Sequence, residues 1–154
     1  MKNKLSIIII FLVFFIDQLS KFLINKFMYL GEEKVIIKNF FSLTYVENNG
    51  AAFGMFKGKL FLIISISIIL LIYLIREIIN NKDNKLITIS LSFIVGGLVG
   101  NLFDRIFFSG VKDFLDFTIF KYSFAIFNLG DVFIVVGSIM MIVGMILFEK
   151  QNNY

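Results

Sequence analysis

The sequence predicts an all-α membrane protein: four transmembrane helices with a small extramembrane β-sheet, a cradle, in the first external loop. Three observations predict it. Hydrophobic residues make up 58% of the 154-residue chain, and its mean hydropathy is +0.90, whereas a soluble domain holds about 45–50% apolar residues. Apolar windows along the chain approach the ~20 residues needed to cross ~30 Å of hydrocarbon. Between the first two of them lies a stretch with strand and turn chemistry instead of a continuous apolar run.

The first span is predicted over residues 5–25. Its apolar run, Leu5 to Ile16, reaches spanning length only by continuing through Asp17, which puts an acid at membrane depth. Lys2 and Lys4 before an apolar run also suit a cleavable signal peptide, but no small-x-small site follows, and Asp17, Gln18 and Lys21 stand where one would be. The second and third spans, 60–76 and 86–105, contain the uncharged runs Leu60 to Ile75 and Leu86 to Phe103. The fourth, 126–148, is apolar beyond Asp131. The whole chain reads as a single integral membrane domain, residues 1–154, without repeats.

Four spans put both termini on one side. Lys2, Lys4, Arg76, Lys82, Lys85 and Lys150 crowd the short segments of that side, while the remaining basic residues are spread over longer loops, which the positive-inside rule weights less. Both termini are therefore expected in the cytoplasm. The external loops are then residues 26–59 and 106–124. In the first, Val35 to Ile37 and Phe40 to Val46 read as short strands, and Asn48, Asn49, Gly50 and Gly54 as turn or bulge chemistry.

Neither Cys nor His is present. That excludes disulfides, thiolate nucleophiles, Ser-His-Asp triads and the usual zinc sets, so no metal and no cofactor is expected. The formal charge of +4 comes from dispersed Lys and Arg, without a basic stripe. Membrane lipids, not nucleic acid, are the expected partner.

Ionised side chains cost about 2.5–3.5 kcal/mol or more at the bilayer centre, so acids within spans mark candidate sites. In the third span Gly97, Asn101 and Asp104 share a helix face, followed by Arg105, and Gly96 and Gly100 permit close helix approach. A glycine packing face with an interfacial Asp-Arg pair would look the same. Asn128 and Asp131 share a face at the start of the fourth span, where a simple N-terminal cap is the alternative. Gly130, Gly137 and Gly144 recur every seven residues and suggest a packed seam.

Upstream, Asp113 and Asp116 occupy the second external loop, either as a solvated face or as partners for Asp131. Two neighbouring carboxylates share a proton and can supply both a general base and a general acid. With His and Cys absent, Asp113 with Asp131 is the most economical hydrolytic site available. Asp17 and Lys21, four apart, match an intrahelical ion pair. Ser20 and Lys21 could suggest a Ser-Lys pair, but adjacent helical residues diverge. An ion-conducting protein is a further alternative, although the fourth span below Asp131 holds only Ser138 as a polar side chain before its end.

In order, Asp17-Gln18-x-Ser20-Lys21, Asn48-x-Gly50-Ala51-Ala52-Phe53-Gly54, Gly96-Gly97-x-x-Gly100-Asn101-x-x-Asp104-Arg105, Val111-x-Asp113-Phe114 and Phe127-Asn128-x-x-Asp131 resemble the lipoprotein signal peptidases, or signal peptidase II. The resemblance covers most of the chain. It implies Asp113 and Asp131 as the catalytic pair of an aspartic endopeptidase, with Asn48, Gly50, Asn101, Arg105 and Asn128 lining or bracing the site and Asp104, Asp17 and Lys21 shaping its polar surroundings. It implies a bacterial inner-membrane enzyme that cuts diacylglyceryl-modified prolipoproteins before the lipidated Cys, with its site near the outer leaflet. A monomer is expected. Gly130 and Ala125 stand where the family usually has alanine and often proline.

Overall fold

The computed structural model describes residues 2–50, 55–56, 58–81, 84–120 and 122–152. Its elements run α1 (Lys2–Phe27), β1 (Glu33–Ile37), β2 (Phe41–Asn48), α2 (Leu60–Asn80), α3 (Lys85–Phe108), β3 (Val111–Ile119), β4 (Tyr122–Ser123) and α4 (Leu129–Asn152). Each helix contains a segment long and apolar enough to cross a membrane. Even the 21-residue α2 is about 31 Å long at 1.5 Å per residue. Helix α1 runs straight through Asp17 and Lys21 to Phe27, so these polar residues do not end it.

Helix α3 is the centre of the bundle and packs against α4, α1 and α2. The apolar core joins Leu71, Leu74 and Ile78 of α2 to Leu91, Ile94 and Val95 of α3. Two serines are fully buried on α3, and each hydroxyl donates to a carbonyl one turn earlier, Ser90 to Leu86 and Ser92 to Thr88. That local bond removes the cost of an unpaired hydroxyl among apolar neighbours. The seam with α4 is tightest at Gly97, where an added Cβ would collide with the Gly130 carbonyl oxygen.

The sheet reaches beyond the stretch where it was expected. Its order is β1-β2-β3-β4, with antiparallel neighbours throughout. The segment expected as a plain second external loop is therefore mostly strand, and Asp113 sits on β3. The register pairs Phe41 with Phe117, Glu47 with Lys112 and Asn48 with Val111, with an irregularity between Leu43 and Val46. Phe127 extends the arrangement. Its carbonyl accepts from the Leu115 N–H at 2.8 Å, and its N–H donates to the Leu115 carbonyl at 3.1 Å. The Phe127 ring also stacks on Phe117 with centroids 5.7 Å apart. These contacts clamp the entry of α4 to β3 and so bring Asn128 beside Asp113.

Candidate active site

Helix α4 begins at Leu129, three residues later than the expected start of the span, and Asn128 acts as its cap. The Asn128 Oδ1 accepts from the Asp131 N–H at 3.1 Å, and Asp131 Oδ2 accepts from the Asn128 N–H at 3.2 Å. This reciprocal pair satisfies donors that a helix start leaves open. The cap is thus real, and it is also part of the site. The Asn128 side-chain amide donates to Asp113 Oδ1 at 2.6 Å. One residue therefore holds both carboxylates.

A ring of bonds fixes the rest. Asn48, at the end of β2, donates from Nδ2 to Asp113 Oδ2 at 3.0 Å, and its Oδ1 accepts from the Gly50 N–H at 2.9 Å. Arg105 donates to the Gly50 carbonyl at 2.8 Å and to the Asn101 carbonyl at 3.4 Å. Asn101 donates from Nδ2 to Asp131 Oδ1 at 2.8 Å. Asp113 is almost completely buried, and Asn128 is entirely so. Burial is the main force raising the Asp113 carboxyl to about 6, against the amides of Asn128 and Asn48, which lower it; the Asp131 charge adds to the rise.

Behind this ring lies an ionic layer inside the bundle. The Lys21 ammonium donates to Asp17 Oδ2 at 2.7 Å and to Asn101 Oδ1 at 2.9 Å, and lies 3.1 Å from Asp104 Oδ2. The expected Asp17–Lys21 pair is present and gains a third member from α3. Gln18 spans the same groups, donating to Asp104 Oδ1 at 3.1 Å and to Asp17 Oδ2 at 3.2 Å. Asp17 Oδ1 accepts from the Gly130 N–H at 2.8 Å. Because Lys21 occupies the oxygen of Asn101, the amide nitrogen is left to face Asp131. Lys21 is saturated in this layer, and Ser20 donates to the Asp17 carbonyl at 2.7 Å, so the two do not form a Ser-Lys pair.

Asp113, Asp131, Asn48, Asn101, Arg105 and Asn128 all line one cavity of about 480 Å³. Its remaining wall is apolar, with Ile126, Val132, Val135 and Val136 among its residues. Convergent polar groups in a mostly apolar cavity are the usual composition of a ligand site. Ala125 is on the same wall. Gly130 is not a lining residue but packs beneath, where an added Cβ would stand 3.0 Å from both Asn128 Oδ1 and Asp17 Oδ1. Asp116 is not among the lining residues; its Oδ2 accepts from the Thr44 hydroxyl at 2.9 Å. Residues 51–54 of the expected Asn48–Gly54 motif lie outside the described residues.

Residues 9–147 match the family model described as signal peptidase (SPase) II. The chain belongs to the signal peptidase II family. A lipoprotein signal peptidase of Clostridium tetani is 44% identical over 132 residues, covering 84% of this chain and 85% of that protein. The one from Caldanaerobacter subterraneus subsp. tengcongensis is 43% identical over 131 residues, covering 85% and 88%. A solved structure described as a bacterial membrane enzyme, obtained by the in meso method at 2.3 Å resolution, superposes with a TM-score of 0.88 at 34% identity and covers 98% of this chain and 92% of its own. Family membership makes this four-helix membrane protein a peptidase. Sequence reasoning did not foresee the Gly130 N–H bond to Asp17, since a backbone donor leaves no mark in residue type.

Proposed function

We propose that the chain is a membrane aspartic endopeptidase that removes signal peptides from diacylglyceryl-modified prolipoproteins, cutting before the lipidated Cys. The observation that carries this reading is that Asn128 holds Asp113 and Asp131 together at the polar end of one cavity. In the proposed reaction one carboxylate takes a proton from water as its oxygen attacks the scissile carbonyl. The other carboxyl, holding the shared proton, delivers it to the departing amine as the C–N bond breaks. An Asp113 carboxyl raised to about 6 keeps that proton to a higher pH than an ordinary carboxyl does.

Asn48 and Asn101 hold the two acids in place, and Arg105 braces them through the Gly50 and Asn101 carbonyls. The apolar wall takes the signal peptide or the acyl chains of the substrate, and membrane lipids surround the helices. The working topology has both termini in the cytoplasm and the acids near the outer leaflet, with one chain as the functional unit. The test is cleavage of a lipidated preprolipoprotein by the purified protein and by folded Asp113→Asn and Asp131→Asn variants. Cleavage by the parent and loss in both variants supports the reading. Undiminished cleavage by either variant rules out the pair.

A further inference from the structure

The paired strands β2 and β3 separate two cavities. One face carries Asn48 and Asp113 toward the catalytic cleft. The sequence neighbours of those residues, Glu47 and Lys112, line a second cavity of about 540 Å³ on the other side, bounded by α1 and the end of α3. That volume falls in the range of about 300–1,000 Å³ typical of small-ligand sites. Asn25 and Tyr45 also line it, and the Tyr45 hydroxyl donates to Asn25 Oδ1 at 3.0 Å. The cation at its inner wall, Lys21, is already committed to Asp17, Asp104 and Asn101. Glu47 and Lys112 are the remaining charged residues of the lining.

These two stand opposite each other in the strand register, an arrangement that ordinarily yields a cross-strand ion pair. Among the described residues, neither takes part in one. Glu47 folds down over Gly110, where an added Cβ would lie 2.8 Å from its Oε1. Lys112 places its ammonium 3.7 Å from the centroid of the Phe108 ring. A negative and a positive group thus sit apart on the walls of one polar cavity. Phe22 and Phe108, both exposed on membrane-length helices, complete the lining.

We propose that this second cavity binds the headgroup of a zwitterionic aminophospholipid, with the phosphate at Lys112 and the ammonium at Glu47. Separated opposite charges match a phosphate-ammonium dipole better than they match a simple anion. The exposed rings of Phe22 and Phe108 give the acyl chains a path along α1 and α3 into the surrounding lipid. Because Glu47 and Lys112 adjoin Asn48 and Asp113, an occupied cavity would brace the β2–β3 pair from behind.

Native mass spectrometry of the full-length protein in detergent tests the assignment, with phosphatidylethanolamine and phosphatidylglycerol of the same chain length as probes. The expected result is retention of phosphatidylethanolamine over phosphatidylglycerol. Glu47→Gln is expected to lower phosphatidylethanolamine retention about tenfold, the worth of one charge-assisted hydrogen bond, and to leave phosphatidylglycerol unchanged. Lys112→Gln lowers both, and Lys112→Arg restores them. Equal retention of the two lipids, or retention untouched by the Glu47 and Lys112 variants, overturns the proposal. Soluble glycerophosphoethanolamine is a further arm: if it displaces the lipid at equal concentration, the ligand is a water-borne zwitterion and the lipid assignment fails.

Discussion

Asn128 and Asp131 exchange hydrogen bonds across the first turn of α4, side chain to backbone in both directions. The same Asn128 amide reaches Asp113. Helix capping and carboxylate placement are therefore one structural event. The two functions separate by mutation. Asn128→Ala removes the cap, at about 1 kcal/mol of stability, and the Asp113 donor, with kcat/KM expected to fall about 10²-fold or more. Asn128→Ser keeps an acceptor for the Asp131 N–H, but its short hydroxyl does not reach Asp113 in place of the amide. It should recover most of the thermal stability in detergent and little of the activity. Recovery of both would mean that the Nδ2 bond to Asp113 is dispensable.

The ionic layer makes a second prediction. Lys21 is the cation between the buried acids Asp17 and Asp104. Lys21→Met leaves those acids without it, and breaking a buried pair from one side costs about 3–5 kcal/mol. The triple variant Lys21→Met, Asp17→Asn, Asp104→Asn removes all three charges and should regain a large part of that loss. Thermal unfolding in detergent measures both. A single Lys21→Met variant as stable as the parent would show that the layer contributes nothing to folding.

The helix seam gives a graded prediction. At Gly97 the obstacle to a side chain is the Gly130 backbone carbonyl, which cannot step aside without moving α4. Gly97→Ala should cost about 1–3 kcal/mol as overpacking and disturb Asn128 and Asp131, which sit on the displaced turn. At Gly144 the nearest atoms to an added Cβ belong to the side chains of Ile87 and Leu86, at 3.3 Å. Those chains can adjust, and replacing glycine within a helix gains up to about 1 kcal/mol. Gly144→Ala should therefore be neutral or stabilising. Matched unfolding curves for the two variants decide whether closeness of backbones, and not glycine content, sets the seam.

How much of this was legible in the sequence differs by element. The spans were legible because hydropathy over about 20 residues is a strong signal, and the ion pair of Asp17 with Lys21 followed from their spacing. The start of α4 is expected at Ile126, but Phe127 bridges to Leu115 and the helix begins at Leu129. Strand β3 was hidden in a segment whose acids interrupt any apolar alternation, Val111-Lys112-Asp113-Phe114-Leu115-Asp116. Its partner β2 lies between α1 and α2, before two intervening helices. Pairing across that separation comes from tertiary contact, which no local pattern encodes. Helical spacing correctly grouped Asn101 with Asp104, but only the fold shows Lys21 dividing its bonds between them.

A pH prediction follows from Asp113. Its carboxyl is raised from 3.8 to about 6, chiefly by burial. The folded protein therefore holds the proton more tightly than the unfolded chain does. The resulting stabilisation is full below about pH 4 and is lost as pH rises to about 6, an effect of at most about 3 kcal/mol by linkage. Asp113→Asn cannot ionise, so this part of the pH dependence of its thermal midpoint should vanish between pH 4 and pH 7. In the proposed mechanism activity depends on the same proton. With kcat/KM reporting the free enzyme, its alkaline limb should begin near pH 6, where the shared proton starts to leave the pair. A kcat/KM profile flat from pH 5 to pH 9 would separate the Asp113 proton from the chemistry.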